Sequence, residues 1–251
     1  MDLQQYQKDF IEFMLSCGAL QFGSFKLNSG RQSPYFMNAG AYDTGAELMK
    51  LGEFYARTIK HTFGMKFDVL CGPAYKGIPL AVATSMKLYE MYNKEVRYCA
   101  TRKEEKDHGA DAGRFVGTKL KDGDRILLIE DVVTSGQSIN ETIQHIRDQE
   151  KDIEIVGLVI SLDRCERASV EMPKTGIEQE LADYGVAPGD TLSQNSALEE
   201  ISTYYDFPCV AIVTMFDVMG AMDKLLDYST LRELNHYYQK YGSRGWSQEN
   251  A

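Results

Sequence analysis

Five short apolar runs, at 67–71, 96–101, 125–129, 154–162 and 208–214, recur along this chain, and stretches with helical spacing follow most of them, at 77–92, 137–149, 196–204 and 215–226. Strands that read as continuous apolar runs are buried on both faces. Strands alternating with helices predict an α/β fold: a mostly parallel central sheet flanked by helices on both sides. Two more helices are expected ahead of the first run. One spans 4–15, with Tyr6, Phe10, Phe13 and Met14 on one face; the other spans 43–61, with Leu48, Leu51, Tyr55 and Ile59 spaced for a core. A last helix is expected at 228–241, with a frayed tail beyond it. Residues 22–38 read as irregular, with turn formers Asn28-Ser-Gly30 and Ser33-Pro34, yet they carry Phe25, Tyr35 and Phe36, which argues against a floppy linker. Residues 172–195, with Pro173, Gly176, Gly185, Pro188 and Gly189, read as a surface insertion. The chain, 1–251, reads as a single domain: an N-terminal part at 1–42, an α/β core at 43–226, and a C-terminal helix and tail at 227–251.

Composition excludes several function classes. The net charge of −10 argues against a nucleic-acid partner. No apolar run approaches the ~20 residues of a membrane span, so no membrane partner is expected. The N-terminus is polar and slightly acidic, unlike a signal or transit peptide. Cysteines 17, 71, 99, 165 and 209 are odd in number and widely spaced, without a Cys-x-x-Cys, which indicates neither a disulfide frame nor a zinc site. A reducing, cytoplasmic location is the expectation.

Chemistry is sought beyond the carboxyl ends of the strands, where open α/β sheets bind ligands. The run at 125–129 leads into Glu130-Asp131, then Val132-Val133, then Thr134-Ser-Gly-Gln-Ser138 and a helix. Gly136 permits a positive φ or a close backbone approach. Unpaired amides at the start of the next helix, together with its dipole, suit a phosphate. Hydroxyls of Thr134, Ser135 and Ser138 can add donors. Glu130 and Asp131 would repel a phosphate but can accept hydrogen bonds from a diol, so the loop suits a ribose 5-phosphate. An ordinary strand-to-helix turn with a capping serine would read the same way.

Three other strand ends carry polar groups. Gly72-Pro-Ala-Tyr-Lys-Gly77 is not a P-loop, because Ile78-Pro79 follows its second glycine, but its backbone and Lys76 can hold a diphosphate. Residues 102–114 gather Arg102, Lys103, Lys106, His108 and Arg114 among acids and glycines: a solvated loop, or a lid that brings cations to a leaving group. Arg164, after the fourth run, suits a planar carboxylate or an ion pair with Asp163 or Glu166.

Together these motifs resemble the type I phosphoribosyltransferases. The 125–138 stretch resembles their loop for phosphoribosyl diphosphate (PRPP), and Tyr75-Lys76 match the contacting pair of their diphosphate loop. Arg102-Lys-x-x-Lys-x-His-Gly109 is similar to the mobile catalytic loop of the orotate phosphoribosyltransferases, and Leu27 to Asn38 is similar to their hood over the base. The resemblance implies a type I phosphoribosyltransferase fold with a small N-terminal hood. It implies transfer of ribose 5-phosphate from PRPP to orotate in pyrimidine biosynthesis, with Mg²⁺ carried mainly by PRPP and Asp131 reaching it at most through water. It assigns catalysis to Lys106 and Asp131. PRPP binding falls to Lys26, Tyr75, Lys76, Arg102, Lys103, Lys106 and His108, and to the loop Glu130, Asp131, Val132, Val133, Thr134, Ser135, Gly136, Gln137 and Ser138. Orotate binding falls to Phe36, Met37, Thr134 and Arg164. It also implies a homodimer whose lid works in the neighbour's site.

The chain departs from the family pattern in places. Asn28 stands where many members carry a ligand-contacting lysine, which leaves Lys26 or Asn28 for that contact. Glu130 replaces a commoner Asp, which changes reach rather than charge. A transferase for another base and a PRPP-sensing regulator are the rival readings. Arg164 and the hood argue against the first; the cationic lid and the acidic charge argue against the second.

Overall fold

Apolar alternation inside single strands decides the layers. In the computed structural model, residues 3–27, 30–106, 113–149, 151–168 and 193–244 are described, without the side chains of 105 and 106. The five expected runs become β3 (Val69–Gly72), β4 (Arg97–Lys106), β6 (Arg125–Glu130), β7 (Glu154–Asp163) and β8 (Cys209–Thr214). With β5 (Gly113–Gly117) they form one sheet in the order β5-β4-β3-β6-β7-β8, parallel except for the edge strand β5. Within β6, Leu127 and Ile129 pack against α1 (Gln5–Ser16), α2 (Gly45–Thr62) and α3 (Gly77–Tyr92). Ile126 and Leu128, one residue out of step, pack on the other face against α4 (Gln137–Arg147) and α5 (Ala197–Tyr205). The period of two thus serves two cores at once. Truncating one such residue to Ala costs ~2–5 kcal/mol, set against a total stability of ~5–15 kcal/mol, so neither layer is dispensable. The helices α6 (Met215–Met222) and α7 (Tyr228–Tyr241) complete the first layer, through Met215 and Leu234 among others.

The N-terminal hood is ordered rather than irregular. β1 (Leu20–Lys26) and β2 (Gln32–Met37) form an antiparallel hairpin apart from the main sheet. Its strands are closed by the Leu27 amide donating to the Arg31 carbonyl and the Gly30 amide to the Leu27 carbonyl, each at 2.8 Å. Gly23, Ser24, Ser33 and Pro34 blur the alternation in the sequence; the structure absorbs them as a register shift between Phe22 and Phe25. A two-stranded ribbon also tolerates Pro34, which cannot donate to a ladder.

A second correction concerns the lid. β4 continues to Lys106, so residues 102–106 are strand, and β5 returns beside it, with Lys106 opposite Gly113. Arg, Lys and Glu have weak strand propensity, so pairing with β5 rather than side-chain type makes this segment extended. α6 also stops at Met222, short of 226, where its carbonyl accepts from the amides of Leu225 and Leu226 in a tight turn. Asn28, His108, residues 172–192 of the expected insertion and the tail from 245 lie outside the described residues. Among the described residues no helix is long and apolar enough to cross a membrane.

Candidate active site

The strand order places the site. From β3 the chain moves outward to β4 on one side, whereas β6, β7 and β8 succeed one another on the other side. β3 and β6 are neighbours, so the loops leaving their carboxyl ends open side by side at the topological switch point, where sheets of this kind bind ligands.

The loop after β3 is closed by two glycines pressed together. A Cβ on Gly72 would stand 2.2 Å from the Gly77 carbonyl oxygen, and one on Gly77 2.7 Å from the Gly72 backbone. Tyr75 is exposed at the tip, after a cis Ala74–Tyr75 peptide, and Lys76 reaches across to Asp131 at 3.1 Å. Lys103, on β4, lies over the Tyr75 ring at 5.0 Å. Arg102 is directed elsewhere, its Nε donating to the Phe115 carbonyl at 3.4 Å.

The loop after β6 holds the paired acids firmly. The Glu130 carbonyl accepts from the Tyr55 hydroxyl at 2.7 Å. The Asp131 carbonyl accepts from the Ser161 hydroxyl at 2.7 Å and the Ser161 amide at 2.8 Å. Asp131 Oδ1 takes the Val132 amide at 2.8 Å. Glu130 takes the Asp131 amide at 3.1 Å and the Ser138 hydroxyl at 3.4 Å. Burial, and then the neighbouring Asp131 charge, push the Glu130 carboxyl up to about 8. Gly136 adopts φ 71°, the left-handed turn its position demands, and as the N-cap it brings no side chain to the helix that begins at Gln137. The Gln137 amide is held by the Ser135 hydroxyl oxygen at a long 3.5 Å, so the start of α4 is weakly capped and still suits an outside acceptor. Thr134 and Ser135 are exposed, Val133 is buried, and the Gln137 side chain is turned to Glu141 at 2.8 Å.

Two cavities meet this loop. A smaller one, about 230 Å³, is lined by Tyr42, Tyr55, Tyr75, Lys76, Asp131 and Ser161 among others. A larger cleft, about 790 Å³, is lined by Lys26, Phe36, Val133, Thr134, Ser135, Arg164 and Glu166 among others. Of the expected PRPP groups, Tyr75, Lys76 and Asp131 gather in the smaller cavity, while Phe36, Thr134 and Arg164, expected for orotate, share the larger cleft with Lys26, Val133 and Ser135. Lys26 lies in the orotate cleft, at the end of β1 opposite Gln32. Phe36 is partly exposed there and stacks on Phe25 at 5.5 Å, whereas Met37, next along the strand, packs on the core. A further groove, about 950 Å³ between the hood turn and α7, contains none of these residues.

Arg164 is partnered but not used up. Its Nε donates to the Tyr35 hydroxyl at 3.1 Å and its Nη2 to Glu166 at 2.8 Å. Nη1 has no partner among the described residues, so the outer edge of the fork stays open. Glu166 was weighed from sequence only as an ion-pair partner of Arg164, which it is; Tyr55, Ser161 and Tyr35 were not singled out as site residues. Ser161 leaves a signal, a hydroxyl breaking the run Ile160-Ser161-Leu162, but Tyr55 reads only as a core residue of α2.

Among the described residues no group of three His, Cys, Asp or Glu side chains can hold a metal. Two adjacent carboxylates remain, one already bonded to Lys76. That donor set suits a Mg²⁺ ion that arrives with a phosphorylated ligand and keeps its waters, rather than a resident ion in a protein cage.

Comparison with known proteins points the same way. A model of the phosphoribosyl transferase domain matches residues 39–188. The orotate phosphoribosyltransferase of Agathobacter rectalis is 46% identical, over 96% of this chain and 100% of the relative. That of Yersinia enterocolitica is 40% identical, over 96% and 100%. The crystal structure of the Francisella tularensis orotate phosphoribosyltransferase superposes with a TM-score of 0.73 at 35% identity, covering 93% of this chain and 96% of that one. With these identities over nearly the full length of both partners, and the type I fold beneath them, the chain belongs to the orotate phosphoribosyltransferase family.

Proposed function

We propose that this chain transfers the ribose 5-phosphate of PRPP to orotate, giving orotidine 5′-monophosphate and diphosphate in pyrimidine biosynthesis. The observation that carries the reading is the open outer edge of Arg164 in the cleft shared with Phe36 and Thr134. A guanidinium fork matches a carboxylate in two parallel hydrogen bonds. The orotate carboxylate would take that edge, its ring would lie against Phe36, and Thr134 would close the far side.

Breaking the anomeric C–O bond leaves positive character on the ribose and negative charge on the departing diphosphate. The protein therefore needs cations at the leaving group rather than a strong base. Lys76 and Lys103 stand at the β3 loop, and Lys106 on β4 is the third candidate. Lys76 now neutralises Asp131; an incoming diphosphate would draw it away and leave Asp131, beside Glu130, for the ribose hydroxyls. The weakly capped start of α4, with Thr134 and Ser135, would take the 5-phosphate. Mg²⁺ arriving with PRPP would supply further charge neutralisation at the leaving group, with Asp131 the residue to reach it, at most through water.

The reading extends to a two-fold dimer with shared sites. Lys103 meets the chain's own Tyr75, whereas Arg102 is directed along the hairpin to the Phe115 carbonyl, so the arm carries cations in more than one direction and could present one to a neighbour. The chain is read as one domain with its hood at 1–42 and an insertion at 172–195. The five cysteines, all free, support a reducing cytoplasmic setting. The deciding experiment is an absorbance assay of orotate with and without PRPP. Consumption of orotate that depends on PRPP, with orotidine 5′-monophosphate and diphosphate formed in equal amounts, is expected. Folded protein that consumes none would overturn the reading.

A further inference from the structure

Arg164 is built into a cluster that spans three parts of the chain. Glu166, two residues beyond it, has a side chain only 9% exposed. One carboxylate oxygen of Glu166 accepts from Arg164 Nη2 at 2.8 Å and from the Tyr35 hydroxyl at 2.6 Å. The other accepts from Arg31 Nη2 of the hood turn. The Tyr35 hydroxyl in turn accepts from Arg164 Nε at 3.1 Å, so Arg164, Tyr35 and Glu166 close a ring of hydrogen bonds. Behind the ring, the Tyr238 hydroxyl of α7 donates to the Arg164 carbonyl at 2.8 Å. The Arg31 guanidinium lies over the Tyr241 and Tyr237 rings of α7, at 4.6 and 5.5 Å.

The charges in this cluster do not cancel. Two guanidiniums share one carboxylate, which leaves the cluster one positive charge in excess. The edges do not compete either. Glu166 and Tyr35 engage the Nε–Nη2 side of Arg164, whereas a carboxylate arriving from the cleft would take the Nη1–Nη2 end. A guanidinium has donors enough for both. Without the ring, Arg164 would keep its charge but lose its direction, and misplacing a binding group by about 1 Å is enough to cost a large factor in rate.

We infer that Glu166 is a positioning residue of this active site: it holds the inner edge of Arg164 so that the outer edge meets the substrate carboxylate, and through Arg31 it fastens the hood over the same cleft. The inference rests on orotate being the substrate. It gives the C-terminal helix a part in substrate choice, because α7 supplies the rings that support Arg31 and the hydroxyl that supports Arg164.

The test compares Glu166→Gln, Tyr35→Phe and Arg164→Ala with the wild type, in steady-state kinetics with orotate and PRPP varied separately. Glu166→Gln keeps the shape and drops the charge. It is expected to raise KM for orotate ~10-fold or more while KM for PRPP stays within about twofold. Tyr35→Phe removes one bond of the ring and should move orotate in the same direction by a smaller factor. A purely structural role would raise both KM values together or lower kcat alone, and either result would overturn the inference. So would an unchanged or lowered orotate KM in Glu166→Gln, the second being the mark of a carboxylate that blocks Arg164. Should Glu166→Gln fail to fold, Glu166→Asp, which keeps the charge and shortens the reach, must show the same split. Arg164→Ala separates this inference from the substrate assignment. If that variant loses orotate affinity while Glu166→Gln does not, only the role of Glu166 fails. If the wild type consumes no orotate, or Arg164→Ala spares it, the assignment itself fails.

Discussion

Glu130 is the residue at which burial and charge conflict most openly. Its carboxyl lies under the β6 loop beside Asp131 and is pushed from the usual 4.5 up to about 8, first by burial and then by that neighbouring charge. In the unfolded chain it would titrate near ~4.3. Between those values the folded chain holds a proton that the unfolded chain has released. The stability supplied by the neutral form is therefore complete below the unfolded pKa and is lost as pH rises through about 8. Glu130→Gln cannot ionise and escapes that loss. In the unliganded protein with a chelator present, the variant should match or fall slightly below the wild type near pH 5. Its advantage should then grow toward pH 9, reaching on the order of a few kcal/mol. Thermal melts across the pH series measure this directly, and a difference that does not change with pH would show that Glu130 is not the group titrating. The same variant should bind PRPP less well above about pH 8, where the wild type presents a carboxylate and an amide is the weaker acceptor for ribose hydroxyls.

At the scale of elements, both anion loops depend on glycine backbone, and each dependence is testable. A methyl group on Gly72 would meet the Gly77 carbonyl, a backbone atom that no side-chain rotation can move away. Gly72→Ala should force the end of β3 and the start of α3 apart, weakening PRPP binding at least ~10-fold and lowering the melting temperature, because the loop geometry is lost with the contact. Gly136→Val acts differently. At φ 71° a β-branched residue is a true outlier, costing ~1–3 kcal/mol, less than the ~5–15 kcal/mol that holds a domain together, so the fold should survive while PRPP affinity falls by an order of magnitude or more. Gly136→Ala should lie between it and the wild type, and a valine variant that titrates PRPP normally would remove the phosphate from this loop. These elements were legible because their signals are local. The run at 125–129, the glycine at 136 and the helical spacing of Ile139, Ile143 and Ile146 lie within one stretch, and the strand, turn and helix stand where expected. The hood hairpin and the outer half of β4 were not legible, because Ser, Pro, Lys and Glu become strand there only through pairing partners. Glu166 was invisible as a positioning residue for a related reason: Tyr35 and Arg31, which give it that role, lie 131 and 135 positions away.

At the scale of the whole molecule, the question is whether one chain suffices for one site. The β4–β5 arm presents Lys103 to its own Tyr75 at 5.0 Å, while Arg102, the preceding residue, is directed along the hairpin. An arm whose cations point in different directions can serve two sites, and two-fold dimers are the commonest soluble assembly. Mixing two defective chains decides the matter. Lys106→Ala disables the arm and Asp131→Asn disables the ribose site, so each homodimer should be nearly inactive. After the two are unfolded and refolded together, half of the dimers are mixed. If the arm works across the interface, one site in each mixed dimer combines an intact ribose site from the Lys106→Ala chain with an intact arm from the Asp131→Asn chain. About a quarter of wild-type activity should then return, from one good site of two in half of the dimers. If the arm serves its own chain, every site carries one lesion whatever the pairing, and mixing restores nothing. Native mass measurement must confirm that subunits have exchanged. Exchange without recovery would assign Lys106 to its own site, and the dimer would then no longer be required for catalysis.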